Sequence, residues 1–137
     1  MNILVDTCLW SLALRRNQEK NDAVVKELGE LIYECRAQLI GPIRQELLSG
    51  IKNEKQFNAL KVNLQAFPDL PLLMDDYECA AEFFNRCRQN GIQGSNTDFL
   101  ICAVAYRNNM AIFTVDRDFD LFQNHLPVAL HKVRFTI

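Results

Sequence analysis

Gly94-Ser95-Asn96-Thr97-Asp98-Phe99-Leu100-Ile101-Cys102-Ala103-Val104-Ala105-Tyr106 begins polar and then, after Asp98, runs eight residues with no charge and a single hydroxyl. Apolar side chains on every side of a helix, rather than along one stripe, place it in the middle of a domain. Ser95, Asn96 and Thr97 are residue types that start helices, so the first turn of this buried helix carries a carboxylate. An ionised Asp there is costly unless something answers its charge.

Around this helix, apolar runs alternate with amphipathic segments. Asn2 to Val5 reads as a strand that stops at Asp6, and Thr7 to Leu14 as a helix that follows at once. Residues 15–21 are polar, a loop or open corner. Val24, Val25, Leu28, Leu31, Ile32 and Cys35 recur at helical spacing over 22–36. Gln38 to Ile40 is a second strand, and Gly41-Pro42 opens a helix from Ile43 to Ser49 that stops at Gly50. Phe57, Leu60, Leu64 and Phe67 mark another helix, ended by Pro68, and Pro71 to Met74 reads as a third strand. A helix on Tyr77, Ala80, Ala81, Phe84 and Cys87 closes at Asn90-Gly91; the buried helix comes next, then a strand from Ala111 to Val115 that meets Asp116. The tail from Val128 to Ile137 alternates as a final strand. Strands alternating with helices predict one α/β domain over residues 1–137, with a parallel sheet covered on both faces.

Composition narrows the function. A hydrophobic fraction of 49% with 23% charged residues excludes a disordered chain. No apolar run approaches the roughly 20 residues that span a membrane. The first charge, at Asp6, comes too early for a signal peptide, which predicts a cytoplasmic protein. Cys8, Cys35, Cys79, Cys87 and Cys102 are scattered in apolar segments without Cys-x-x-Cys spacing, which argues against disulfides and zinc. His125 and His131 read as surface residues rather than as a catalytic or metal pair. A net charge of −2 is no nucleic-acid footprint by itself.

The carboxylates carry the chemistry. In an open parallel sheet, ligands gather outside the carboxyl ends of the strands, near the switch in strand order. Asp6 and Asp116 sit at two such ends, and Asp98 opens the helix that precedes the second of those strands. Glu46 lies three residues after Ile43, inside the apolar stripe of its helix, so it reads as facing inward. Two unit charges about 5 Å apart repel by roughly 3 kcal/mol at an effective dielectric of about 20. Four crowded carboxylates therefore either bind protons more tightly or hold a divalent ion. Oxygen ligands without His or Cys suit hard cations, Mg²⁺ or Mn²⁺. Such an ion activates water and clamps a phosphodiester. With the four acids set aside, thirteen acidic residues remain against fifteen basic ones. Arg15, Arg16, Arg44, Lys52, Lys55, Arg86, Arg88 and Arg117 are then candidates for phosphate contacts.

Each acid also has a plainer reading. Asp98 with Ser95 fits a capping box, Asp6 and Asp116 can end strands by Asx turns, and Glu46 can reach solvent from the edge of its stripe. Asp118 and Asp120 read as loop or cap residues, with Asp118 close enough to assist the site. Two other classes remain open. A receiver-like phosphoacceptor domain also gathers acids at strand ends, but Asp6 stands without an adjacent acid and no Lys follows Asp116. A non-catalytic interaction module would use the acids only as caps.

Four blocks in order resemble the PIN-domain ribonucleases, most closely the VapC-type toxins of bacterial toxin–antitoxin pairs. They are Leu4-Val5-Asp6-Thr7, Glu46-Leu47-Leu48-Ser49-Gly50, Thr97-Asp98-Phe99-Leu100-Ile101-Cys102-Ala103 and Phe113-Thr114-Val115-Asp116-Arg117-Asp118-Phe119. The resemblance covers essentially the whole chain and implies a three-layer α/β/α sandwich around a parallel sheet of about five strands. It implies a Mg²⁺-dependent endoribonuclease, with Mn²⁺ able to substitute, whose metal site centres on Asp6 and Asp98 and is completed by Glu46 and Asp116. Thr7 and Thr114 fall where the family places a small hydroxyl that orients water or a ligand, and Cys8 where Ser or Asn is common. The resemblance further implies an RNA substrate, a homodimer, and a small antitoxin whose C-terminal segment lies in the groove to the acidic site.

Overall fold

The computed structural model describes residues 1–14 and 22–134. The polar stretch 15–21, with Arg15 and Arg16, and the last residues of the predicted final strand, 135–137, lie outside the described residues. Four parallel strands form the sheet: β1 (Ile3–Val5), β2 (Ala37–Ile40), β3 (Asp69–Leu70) and β4 (Ala111–Phe113), in the order β3-β2-β1-β4. β1 lies between two partners, with Ile3 opposite both Ala37 and Ala111. It is buried at every position, which is why an uninterrupted Ile-Leu-Val run suits it.

α1 (Thr7–Leu14) and α2 (Asp22–Tyr33) connect β1 to β2, and α3 (Gly41–Leu48) and α4 (Glu54–Leu64) connect β2 to β3. α5 (Met74–Gln89) and α6 (Asn96–Arg107) carry the chain back across to β4, and α7 (Asp118–Gln123) follows it. The strand order advances from β1 to β3 and then reverses to β4. Right-handed crossovers therefore put α1–α4 on one face of the sheet and α5–α6 on the other. The reversal falls between β1 and β4.

Three predicted strands change. The third strand is Asp69–Leu70, pairing with Leu39 and Ile40, not Pro71 to Met74. Pro71 has no N–H to extend a ladder, and Met74 already begins α5. β4 ends at Phe113, short of Val115, because Thr114 turns its hydroxyl to the neighbouring strand end. The tail contributes one parallel bridge, Leu130 to Ile112, so the described sheet has four strands rather than about five. Asp118 and Asp120, expected in a loop or cap, lie in the first turn of α7, whose six residues are too few to show a helical period in the sequence.

α6 is the central post. Phe99 to Ala105 are all buried, as an all-apolar helix requires, whereas Tyr106 is exposed and meets the Phe83 ring edge-on. Full burial of each large side chain contributes roughly 2 kcal/mol. α5 packs antiparallel along it: Arg107, at the end of α6, donates to the buried Asp76 in the first turn of α5 at 2.8 Å. Asp76 also caps α5 by accepting from the Leu73 amide. The turn into α6 passes close to the core. A Cβ on Gly94 would stand 2.7 Å from the Phe122 ring, so any side chain there would have to displace the Phe122 and Phe99 rings.

Glu27 on α2 is 1% exposed, a carboxylate that periodicity hides beside Leu28. It accepts from Arg134 Nε at 2.7 Å and contacts His131 Nε2 at 2.6 Å. His131 is therefore not the surface residue expected; its ring is also edge-on to Phe113. Burial alone would raise the Glu27 carboxyl, but the bonds from His131 and Arg134 outweigh it and hold it below 4.5. The folded state thus binds the Glu27 proton less readily than the unfolded chain does. The stabilisation is present above pH 4.5 and lost as the pH falls below it. Glu27→Gln is expected to lower stability at neutral pH by about 3 kcal/mol. It is also expected to flatten the fall in Tm on acidification, which thermal unfolding at a series of pH values measures.

Candidate active site

The β1–β4 switch point carries an open cleft of about 670 Å³ whose walls include Asp6, Thr7, Glu46, Asp98 and Asp116. Asp6 follows directly from β1, and its amide bonds the Phe113 carbonyl of β4 at 2.9 Å, so the two strand ends fix its backbone. Its side chain is buried and hydrogen-bonded on both oxygens. Oδ1 accepts from the Thr7 amide at 2.7 Å. Oδ2 accepts from the Thr114 hydroxyl at 2.8 Å and the Cys8 thiol at 3.4 Å.

Asp98 reaches the cleft from the first turn of α6. Ser95 and Asp98 do form the capping box, with the Asp98 amide donating to Ser95 Oγ at 3.1 Å and the Ser95 amide to Asp98 Oδ2 at 3.0 Å. The box occupies one oxygen only. Asp116, past β4, accepts the Asp118 amide on Oδ1 and donates its own amide to Thr114 Oγ1. Glu46 departs from expectation: it is exposed rather than inward-facing, at the cleft rim, where Oε1 accepts the Thr7 hydroxyl at 2.6 Å. α3 holds it there, entering with Pro42 in its first turn and ending before Gly50, whose φ of 86° admits glycine at little cost.

Among the described residues, Glu46, Asp98 and Asp116 each keep one carboxylate oxygen without a hydrogen bond, and no described ion pair includes any of the four acids. Burial raises the Asp6 carboxyl despite its three donors, and the Asp116 charge adds to this. Burial likewise raises Asp98 against the bonds from Ser95, with the charges of Asp6 and Asp116 adding to it. Burial and the Asp6 charge push the Cys8 thiol up, so it stays a neutral donor. Among the described residues no three acid, thiol or imidazole groups converge tightly enough to enclose an ion. The donor set nevertheless fits a hard cation: only carboxylate oxygens, like charges that add to the raised proton affinity of Asp6 and Asp98, and free oxygens on three of the four acids.

The other candidates divide. Thr7 and Thr114 both touch the acids, as expected, whereas Asp118 is exposed in α7 and meets the site only through its backbone amide. Gln45, Ser49 and Thr97 line the cleft and were not singled out from sequence, since nothing in their spacing sets them apart. Arg44 is committed to the fold through Asp69 and the carbonyls of Leu64 and Phe67, so it is no phosphate contact.

The fold has solved relatives. A chain of FitAcB from Neisseria gonorrhoeae superposes with a TM-score of 0.78 at 24% identity, covering 98% of this chain and 99% of that one. A chain of FitAB bound to the IR36 DNA fragment gives 0.75 at 26% identity, covering 98% and 97%. VapBC2 from Rickettsia felis, bound to a DNA fragment from their promoter, gives 0.73 at 19%, covering 96% and 98%. No curated protein sequence matches significantly. The PIN-domain family model matches residues 3–123, a span that holds all four cleft carboxylates and every strand; the chain belongs to the PIN-domain family.

Proposed function

We propose that this protein is a Mg²⁺-dependent endoribonuclease, the toxin of a toxin–antitoxin pair. The observation that carries the reading is the gathering of Asp6, Glu46, Asp98 and Asp116 around one open cleft at the switch point. PIN domains are typically nucleases, which supports hydrolysis of a phosphodiester. Asp6 and Asp98 would hold the ion, with Asp116 and Glu46 completing its surroundings. A bound Mg²⁺, or Mn²⁺ in its place, supplies a water of lowered pKa and neutralises the phosphate oxygens.

The chain's own groups do the rest. Thr114 and the Thr7 amide keep Asp6 oriented, and Thr7 Oγ1 holds Glu46 at the rim with Oε2 free to take the proton of the attacking water. Water adds at phosphorus and the P–O3′ bond breaks, the departing O3′ taking a proton from solvent, which leaves a 5′-phosphate and a 3′-hydroxyl. The relatives in FitAB and VapBC assemblies support a small antitoxin as partner, whose Arg or Lys would enter the anionic cleft. The resemblance to VapC-type toxins implies a homodimer, and the early charge at Asp6 favours the cytoplasm; both belong to this proposal. No helix among the described residues is long and apolar enough to cross a membrane.

Incubation of the purified chain with single-stranded RNA tests the reading. Cleavage is expected in Mg²⁺ and in Mn²⁺, with the ends named above, and EDTA is expected to stop it. Undiminished cleavage in EDTA, or 2′,3′-cyclic phosphate ends, would contradict it.

A further inference from the structure

Next to the acidic cleft, sharing Pro42 and Thr97 with it as common walls, lies a second recess of about 450 Å³ between α5 and the start of α6. Its chemistry is different. The floor is aromatic and aliphatic, with the half-buried Phe84 ring set edge-on to the buried Phe99 ring at 5.5 Å. At its mouth stand Tyr77, 53% exposed, and two exposed amide side chains, Asn85 and Asn96. Arg88 lies over Phe84, its guanidinium carbon 4.9 Å from the ring centre.

Volume and lining fit a small planar ligand, since such sites span roughly 300–1,000 Å³ with mostly apolar walls and a few placed polar groups. An exposed aromatic face beside amides that both donate and accept is the equipment with which proteins stack and read an unpaired base. The acidic cleft alone repels a phosphate backbone, and the Arg88 guanidinium, stacked over the Phe84 ring that lines the recess, is a cation close to it.

We propose that this recess receives an unpaired nucleobase adjacent to the scissile phosphate, stacked on Tyr77 and read by Asn85 and Asn96. The inference rests on the ribonuclease reading and deepens it: sequence preference at the cut resides in this pocket, while the carboxylates act on any phosphodiester brought to them.

The test uses the full chain and Tyr77→Ala, Tyr77→Phe and Asn85→Ala variants, each checked for wild-type Tm and sedimentation. Binding of a short single-stranded RNA carrying 2-aminopurine is followed by fluorescence in metal-free buffer, and cut sites are read on a random-sequence RNA in Mg²⁺. Tyr77→Ala is expected to weaken binding about tenfold or more, the scale of one lost base stack, and to raise KM more than it lowers kcat. Tyr77→Phe is expected to retain both, and Asn85→Ala to broaden the base preference beside the cut. Unchanged binding and unchanged cut sites in Tyr77→Ala and Asn85→Ala would overturn the pocket while leaving the ribonuclease intact. So would a Tyr77→Ala chain that dissociates from a dimer yet binds and cuts as before, since the face would then belong to a second copy. A wild-type chain that binds the RNA in the metal-free assay with the expected variant pattern, yet cuts nothing in Mg²⁺, would keep the pocket and defeat the nuclease reading.

Discussion

Asp6→Asn is expected to abolish RNA cleavage and, in metal-free buffer, to raise the Tm. The loss should be at least about a thousandfold, the effect of removing about 4 kcal/mol of transition-state stabilisation. The gain in stability follows from burial. The Asp6 carboxyl is raised chiefly because it is taken out of water, so just above the ordinary carboxylate range the folded protein keeps a proton that the unfolded chain has released. The Asp6 contribution is then most favourable at low pH and is lost as the pH rises through the interval between the two values. Asparagine carries no charge to desolvate, still accepts the Thr7 amide, and meets the Thr114 oxygen with its NH₂ group. Mg²⁺ should reverse the order, raising the Tm of the wild type by preferential binding to the folded state while leaving the variant where it was. Thermal unfolding with and without Mg²⁺, beside an RNA cleavage assay, measures both effects. A variant that is less stable in the absence of metal would show that Asp6 is a structural residue.

Asp98→Asn separates the capping box from the chemistry. The carboxamide oxygen can still accept the Ser95 amide, and Ser95 Oγ still accepts the residue-98 amide. Helix α6, fixed by seven consecutive buried residues from Phe99 to Ala105, should therefore keep its circular-dichroism signature. Cleavage should fall by about the same factor as for Asp6→Asn, because the charge that reaches Asp6 is gone. Ser95→Ala is the converse: it should cost about 1 kcal/mol of stability, as a lost N-cap does, and leave most of the cleavage rate. If the two substitutions exchange these outcomes, Asp98 is a cap and nothing more.

The contrast between these residues shows what could be read in advance. Asp6, Asp98 and Asp116 are tied to strand ends and a helix start, features written in local sequence as apolar runs that stop at a carboxylate. The run from Phe99 could only be a core helix, and the structure buries it completely to Ala105. Glu46 was misplaced because its helix has only eight residues, and an i+3 relation to Ile43 does not separate the buried face from its exposed edge. Glu27 with His131 was invisible for another reason. The pair joins residues 104 apart, and no short-range pattern distinguishes a buried Glu beside Leu28 from one on the polar face of an amphipathic helix. The recess at Tyr77 and Phe84 belongs to the same class: spacing assigned both residues to a helix face, but only the packing of α5 against α6 makes a cavity beside the acids.

The central claim is that four carboxylates at one switch point form a single divalent-cation site that cleaves RNA. Calorimetric titration of Mn²⁺ into the wild-type chain and into Asp6→Asn, with the same samples assayed on RNA, tests it most directly. Saturable Mn²⁺ binding in the wild type that disappears with Asp6→Asn, together with cleavage that rises along the same binding curve, is the predicted result. No binding at millimolar Mn²⁺, or binding and cleavage that survive Asp6→Asn, would contradict it.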